Sequence, residues 1–162
     1  MNRAAHLTIL SFALLILSAC SSRDSGQNNI FLNKPTEVKF GYVEENPLFG
    51  KREIRSILVV ECKIGNHGNL QINIMNKGES AFSCDGSDLF QVDKDGATIS
   101  AISTDLQSFS SSASTHDIWA EVGSSQTSYL NLRPNVAKVE YRREDSGKLT
   151  TLFTIVLKDG TK

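Results

Sequence analysis

Apolar side chains in this chain recur at every second position over most of its length. Val38, Phe40 and Tyr42 share one parity, and so do Leu58, Val60, Cys62 and Ile64, while Glu61 and Lys63 fall on the other. Successive side chains on a strand point to opposite faces, so period two marks a strand with one buried face, whereas a helix needs apolar residues three and four apart. Leu70, Ile72 and Ile74 continue the pattern, Phe82 shares parity with Cys84, and Val139 and Tyr141 alternate with Lys138, Glu140 and Arg142. No stretch after the first 20 residues sustains the helical spacing for three turns. The alternation therefore predicts an all-β domain.

Turn residues divide the pattern into short segments. Phe90 and Val92 lead into Asp95-Gly96 and then Ile99, a hairpin signal because glycine accepts the positive φ of tight turns. Residues 118–122 and 129–132 read as short strands, and Asp145-Ser146-Gly147-Lys148 returns the chain into residues 149–157, apolar enough for a buried central strand. His67 sits in Gly65-Asn66-His67-Gly68-Asn69, a hairpin tip, and SFSSSAST over residues 108–115 reads as a mobile loop. About eight to ten such strands predict an antiparallel β-sandwich. Its 40% apolar and 22% charged content supplies a core of ordinary size for a single domain over residues 36–162.

The first 20 residues have a different character. Arg3 precedes an apolar run over residues 7–17, broken only by Thr8 and Ser11, and Leu17-Ser18-Ala19-Cys20 follows. About 20 apolar residues are needed to cross roughly 30 Å of hydrocarbon, so this run is too short to span. The order of charge, apolar run, small residues and cysteine resembles the signal sequence of a bacterial lipoprotein. That resemblance implies a signal peptide over residues 1–19, cleavage before Cys20 and a lipid on its sulfur. Ser21 and Ser22 then imply the periplasmic face of the outer membrane. Residues 21–29, SSRDSGQNN, hold no apolar anchor, and residues 20–35 are expected to form a flexible tether, with the folded domain beginning near Ile30 or Thr36.

Export would place Cys62 and Cys84 in an oxidising compartment, where an even pair is expected to form a disulfide; separate buried thiols are the alternative. Removing Arg3 with the leader leaves 16 basic residues against 18 acidic ones. Short basic stretches such as residues 51–55 and Arg142-Arg143 read as solvated strand ends, which does not suit a polyanion such as nucleic acid.

Residues able to carry chemistry are sparse. A serine nucleophile needs a base and an oxyanion site, and neither GxSxG nor SxxK occurs. Ser110 and Ser111 lie near His116 and Trp119, which makes the four a candidate partner-binding stretch. Trp119 shares parity with Glu121, opposite Ile118, Ala120 and Val122; if those three face the core, Trp119 faces outward, where an exposed aromatic can anchor a partner, and capping the edge of the core is the alternative. Asp85, Asp88, Asp93 and Asp95 include the fragment DKDG, better explained as turn chemistry than as a calcium loop. The expectation is a binding module without enzymatic activity, cofactor or metal.

The run of segments ILVVECKI, LQINIMNKGES, DLFQVDKDGATI and YLNLRPNVAKVEYR is similar to the telokin-like and immunoglobulin-like domains of secreted bacterial lipoproteins. The likeness lies in Asn76-x-Gly78 after a strand, the pattern D-x-F-x-V-D-x-D-G over residues 88–96, and Leu130 four residues before Pro134. It implies an immunoglobulin-like sandwich and names no activity. The chain departs from that family over residues 102–122. An alternative resemblance is to periplasmic lysozyme inhibitors, small lipid-anchored proteins with a serine-rich inhibitory loop. SSSASTHDIW lacks the glycine and tyrosine expected beside that serine.

Overall fold

The computed structural model describes residues 28–100, 105–110, 113–145 and 147–157. Among them lie thirteen strands and one short 3-10 turn, Gly86–Asp88, with no α-helix. In chain order the strands are β1 (Asn29–Phe31), β2 (Thr36–Asn46), β3 (Gly50–Ile64), β4 (Leu70–Asn76), β5 (Phe82–Asp85), β6 (Leu89–Asp93), β7 (Thr98–Ser100), β8 (Leu106–Ser110), β9 (Ala113–Thr115), β10 (Asp117–Ala120), β11 (Ser125–Leu130), β12 (Val136–Asp145) and β13 (Lys148–Val156).

They form a five-stranded sheet of order β1-β13-β12-β6-β7, a six-stranded sheet of order β2-β3-β4-β11-β8-β9, and a two-stranded ribbon of β10 and β5. Every pairing is antiparallel except that of β1 with β13. Both sheets and the ribbon supply one apolar core, as expected of a β-sandwich: Leu58, Val60, Leu70, Ile72 and Leu130 from the larger sheet, Leu89, Val139, Tyr141 and Ile155 from the smaller, Phe82 and Ile118 from the ribbon.

Four aromatic rings join these layers. Phe40 of β2 lies 6.1 Å from Tyr141, 6.3 Å from Phe153 and 6.2 Å from Phe82, and Tyr141 lies 5.1 Å from Phe153 and 5.7 Å from Phe82. Edge-on and tilted pairs at these separations are the favourable arrangements of ring quadrupoles. Burial, reinforced by Cys84, pushes the Tyr141 phenol far above its ordinary range.

The structure revises several expectations. β1 falls inside the stretch 20–35 expected to be tether: Asn29 stands beside Thr154 and Ile30 is fully buried beside Ile155. Residues 108–115 are not simply a loop, because β8 and β9 pair there; Ser108 is buried, its Oγ 2.6 Å from Ser128 Oγ across the β8–β11 ladder. β6 keeps no single buried parity: Leu89, Gln91 and Val92 are all buried, while Phe90 is half-buried. Gln91 is tolerated because its Nε2 donates to the Asn131 carbonyl at 3.0 Å and its Oε1 accepts from Arg133 N–H at 2.8 Å.

Residues 51–55 open β3 as an exposed strand end, as expected, apart from the buried Ile54, whereas Arg142 and Arg143 lie half-buried within β12. Arg142 lies over the Phe90 ring at 4.7 Å and Arg143 over the Tyr42 ring at 4.2 Å, so their stems and planes cover apolar surface. Glu140 is nearly buried between Lys138 (2.7 Å) and Arg142 (2.6 Å). Burial works to raise its carboxyl pKa, but the hydrogen bonds and charges of those two partners outweigh it and hold the pKa below the usual range. Of residues 149–157, only Phe153, Thr154 and Ile155 are fully enclosed.

Candidate functional site

Of the residues singled out for binding, Trp119 lies on the ribbon of β5 and β10, and His116 immediately precedes β10. Ile118 stands beside Cys84, Trp119 beside Ser83 and Ala120 beside Phe82. Alternation sends Ile118 and Ala120 into the core and leaves Trp119 53% exposed, with Val122 exposed as well. The Trp119 Nε1–H donates to Glu121 Oε1 at 2.8 Å, which fixes the indole while leaving its faces open. His116 is exposed, its Nδ1 3.2 Å from the Leu106 carbonyl; since a carbonyl only accepts, Nδ1 carries the proton. Ser110 lies on β8 opposite Ala113, and Ser111 falls outside the described residues. Of the four residues, His116 and Trp119 have side chains that the structure places, and they share one short run beside the ribbon.

Asn76 organises this region, a role the sequence shows only as the first residue of an Asn-x-Gly turn. It is fully buried at the end of β4. Its Nδ2 donates to the Ser80 and Ala120 carbonyls at 2.8 and 2.9 Å, its Oδ1 accepts from Gly78 N–H at 2.9 Å, and its backbone bonds Ser124 and Gly123. The side chain thus ties β4 to the 77–81 loop and the end of β10, and the backbone of the same residue holds the turn before β11. Met75, Trp119 and Val122, all exposed and apolar, belong to the segments so joined.

The aspartates act on local backbone. Asp85 accepts from Ser87 N–H at 2.8 Å and Asp88 from Asp85 N–H at 3.2 Å, which caps the 3-10 turn from both sides. Burial raises the Asp88 pKa against the opposing pull of that hydrogen bond and of Arg143. Asp93 Oδ1 accepts from the N–H groups of Asp95 and Ala97, with Gly96 at φ +85°. Among the described residues no group of three or more His, Cys, Asp and Glu side chains is disposed to hold a metal ion. His67 is exposed at the tip between β3 and β4.

Cys62 and Cys84 are free thiols, both buried, so the expected bridge is not formed in the structure. They lie on different sheets, Cys62 opposite Ile72 on β4 and Cys84 opposite Ile118, and the Cys84 Sγ–H is directed to the Asp85 carbonyl at 3.4 Å. Burial, with Glu61 adding to it, pushes the Cys62 thiol up to about 12. Burial, with Asp88 and Asp85 adding to it, raises Cys84 well above its ordinary value. The thiolate is the reactive form, so both groups are silenced near neutral pH. In native protein Cys62 and Cys84 are therefore expected to resist a thiol reagent that labels both once denaturant is added without reductant. Failure to label even then would show that the folded chain carries a disulfide.

Compared with known proteins, the chain matches no family model, and no curated protein or solved structure matches it significantly.

Proposed function

We propose that this chain is a lipid-anchored cell-envelope protein, held by an acylated Cys20, whose sandwich binds another envelope component rather than transforming a substrate. The observation that carries this reading is the order of features in residues 1–20: Arg3, the apolar run 7–17, Ser18 and Ala19, then Cys20. Two or more acyl chains on one residue anchor stably, because each buried methylene contributes about 0.8 kcal/mol. Ser21 and Ser22 favour the outer membrane.

The sandwich is read as immunoglobulin-like, supported by antiparallel sheets around a shared core and by the strand-and-turn pattern over residues 70–157. Such a frame presents short segments rigidly, and the exposed indole of Trp119 offers an anchor of the kind that concentrates binding energy. Metabolic labelling with palmitate, followed by membrane fractionation, tests the anchor. The parent chain should be labelled and sediment with membranes, and Cys20→Ala should lose both properties. A Cys20→Ala chain that still sediments after normal processing would remove the reading. Crosslinking should capture an envelope partner that Trp119→Ala no longer holds.

A further inference from the structure

The long β2–β3 hairpin ends in two of the most exposed apolar side chains of the described residues. Leu48 and Phe49 are each 85% exposed, at a turn closed by Gly50 with φ +75°. The ladder behind them is regular from Thr36 beside Val60 to Asn46 beside Gly50. Neither residue belongs to the apolar core of the sandwich.

The same end of the domain carries a third exposed apolar residue. Arg143 lies over Tyr42, and two residues further along β12 the chain turns into β13, where Leu149 is half-exposed beside Glu144. By ladder register the backbone positions of Lys51, Arg52, Arg143 and Lys148 fall at this end with those of Glu44, Glu45, Glu144 and Asp145, so formal charges balance in the sequence there.

The course of β1 says what this end faces. Asn28 Nδ2 donates to the Lys39 carbonyl at 3.2 Å, and Asn33 N–H donates to the Cys62 carbonyl at 2.7 Å. Lys39 stands beside Ile57, and Cys62 lies beyond the far end of the β2–β3 ladder. β1 therefore runs away from the hairpin tip, and the chain enters the domain from the tip side. From Lys39 to Asn46 the strand advances about 24 Å at roughly 3.4 Å per residue. From Cys20 to Asn28 the backbone reaches at most about 28 Å at roughly 3.3–3.6 Å per residue. A lipid on Cys20 and the hairpin tip can meet one bilayer surface together.

We propose that the β2–β3 hairpin tip is a second membrane contact, inserting Leu48 and Phe49 into the interfacial layer of the bilayer that holds the Cys20 lipid. This rests on the reading of Cys20 as acylated. The near balance of charge makes the contact apolar in origin, so it needs no anionic lipid and resists salt. It also fixes the orientation of the domain, with the far end of the sandwich directed away from the membrane.

The test uses the full lipidated protein in phosphatidylethanolamine–phosphatidylglycerol vesicles, with F49W in a W119F background so that one indole reports. Emission is expected to shift to shorter wavelength and to be lost to brominated lipids, equally at low and high salt. Adding L48S should lower the inserted-to-free ratio about tenfold, the effect of removing one well-buried Leu side chain. An indole that brominated lipid does not quench would overturn the proposal, whether water, a second copy or a protein partner surrounds the tip instead. Quenching that high salt abolishes would overturn the apolar contact. Palmitate incorporation reports on the anchor alone and quenching on the tip alone, so failure of either reading is seen separately.

Discussion

Replacing Tyr141 by alanine is expected to cost about 3–5 kcal/mol of folding stability, the range for truncating a fully buried aromatic residue. The ring touches a residue from each layer of the fold: Phe40 in the larger sheet, Phe153 in its own and Phe82 in the ribbon. No single neighbour can relax into the space without leaving the other two, so the cavity persists. Tyr141→Phe keeps those contacts and should cost less than about 1 kcal/mol, since the hydroxyl makes only long contacts at 3.5 Å to the Ser83 carbonyl and Arg143 Nη1. Urea unfolding followed by far-ultraviolet circular dichroism separates the two. Equal losses in both variants would show that the hydroxyl, not the ring, carries the stabilisation.

Asn76→Ala is expected to be the second large loss, about 2–4 kcal/mol, for a different reason. The ring of Tyr141 fills space, whereas Asn76 satisfies buried backbone groups that would otherwise be stranded at Ser80, Ala120 and Gly78. Each buried polar group left unpaired costs about 1–3 kcal/mol, and water entering the vacated volume recovers part of it. Asn76→Asp preserves the shape but sets a carboxylate against two carbonyl oxygens. It should be at least as destabilised at neutral pH and partly recovered in acid, where the neutral acid regains one donor. Comparing both variants in urea at two pH values tests this. An Asp variant indifferent to pH would mean that the side chain has swung out to solvent.

The sequence made the fold legible wherever strands have one dry face and a close neighbour. β3 and β4 are such strands: Leu58, Val60, Cys62, Leu70, Ile72 and Ile74 follow the period and are all buried. Reading failed where the stabilising partner is remote or polar. Ile30 lies in a three-residue strand too short for any period, and its partner Ile155 is more than a hundred positions away. The serine-rich β8 looks like loop by composition because serines seldom line a core. Ser108 does so by bonding Ser128 across the ladder. Gln91 is buried in the same way, its amide bonded at both ends.

The outward turn of Trp119 follows the parity of Ile118 and Ala120, which are buried, whereas Val122, grouped with them by parity, is exposed past the end of β10. The tip at Leu48 and Phe49 was not legible, because two apolar residues in a turn carry no periodicity, and only the extent of the ladder behind them shows how far they stand from the core.

The parallel seam between β1 and β13 has a bearing on how the molecule is made. β13 is flanked on one side by β1 and on the other by β12, so the first and last described strands secure each other. A chain emerging N-terminus first can assemble the β2–β3–β4 meander early from near neighbours, but the seam waits until residues 154–156 have arrived. Contacts of such long sequence separation slow folding. Until then Ile30 and its neighbours stay solvated, and a load applied through residue 28 would be borne by a ladder that closes last.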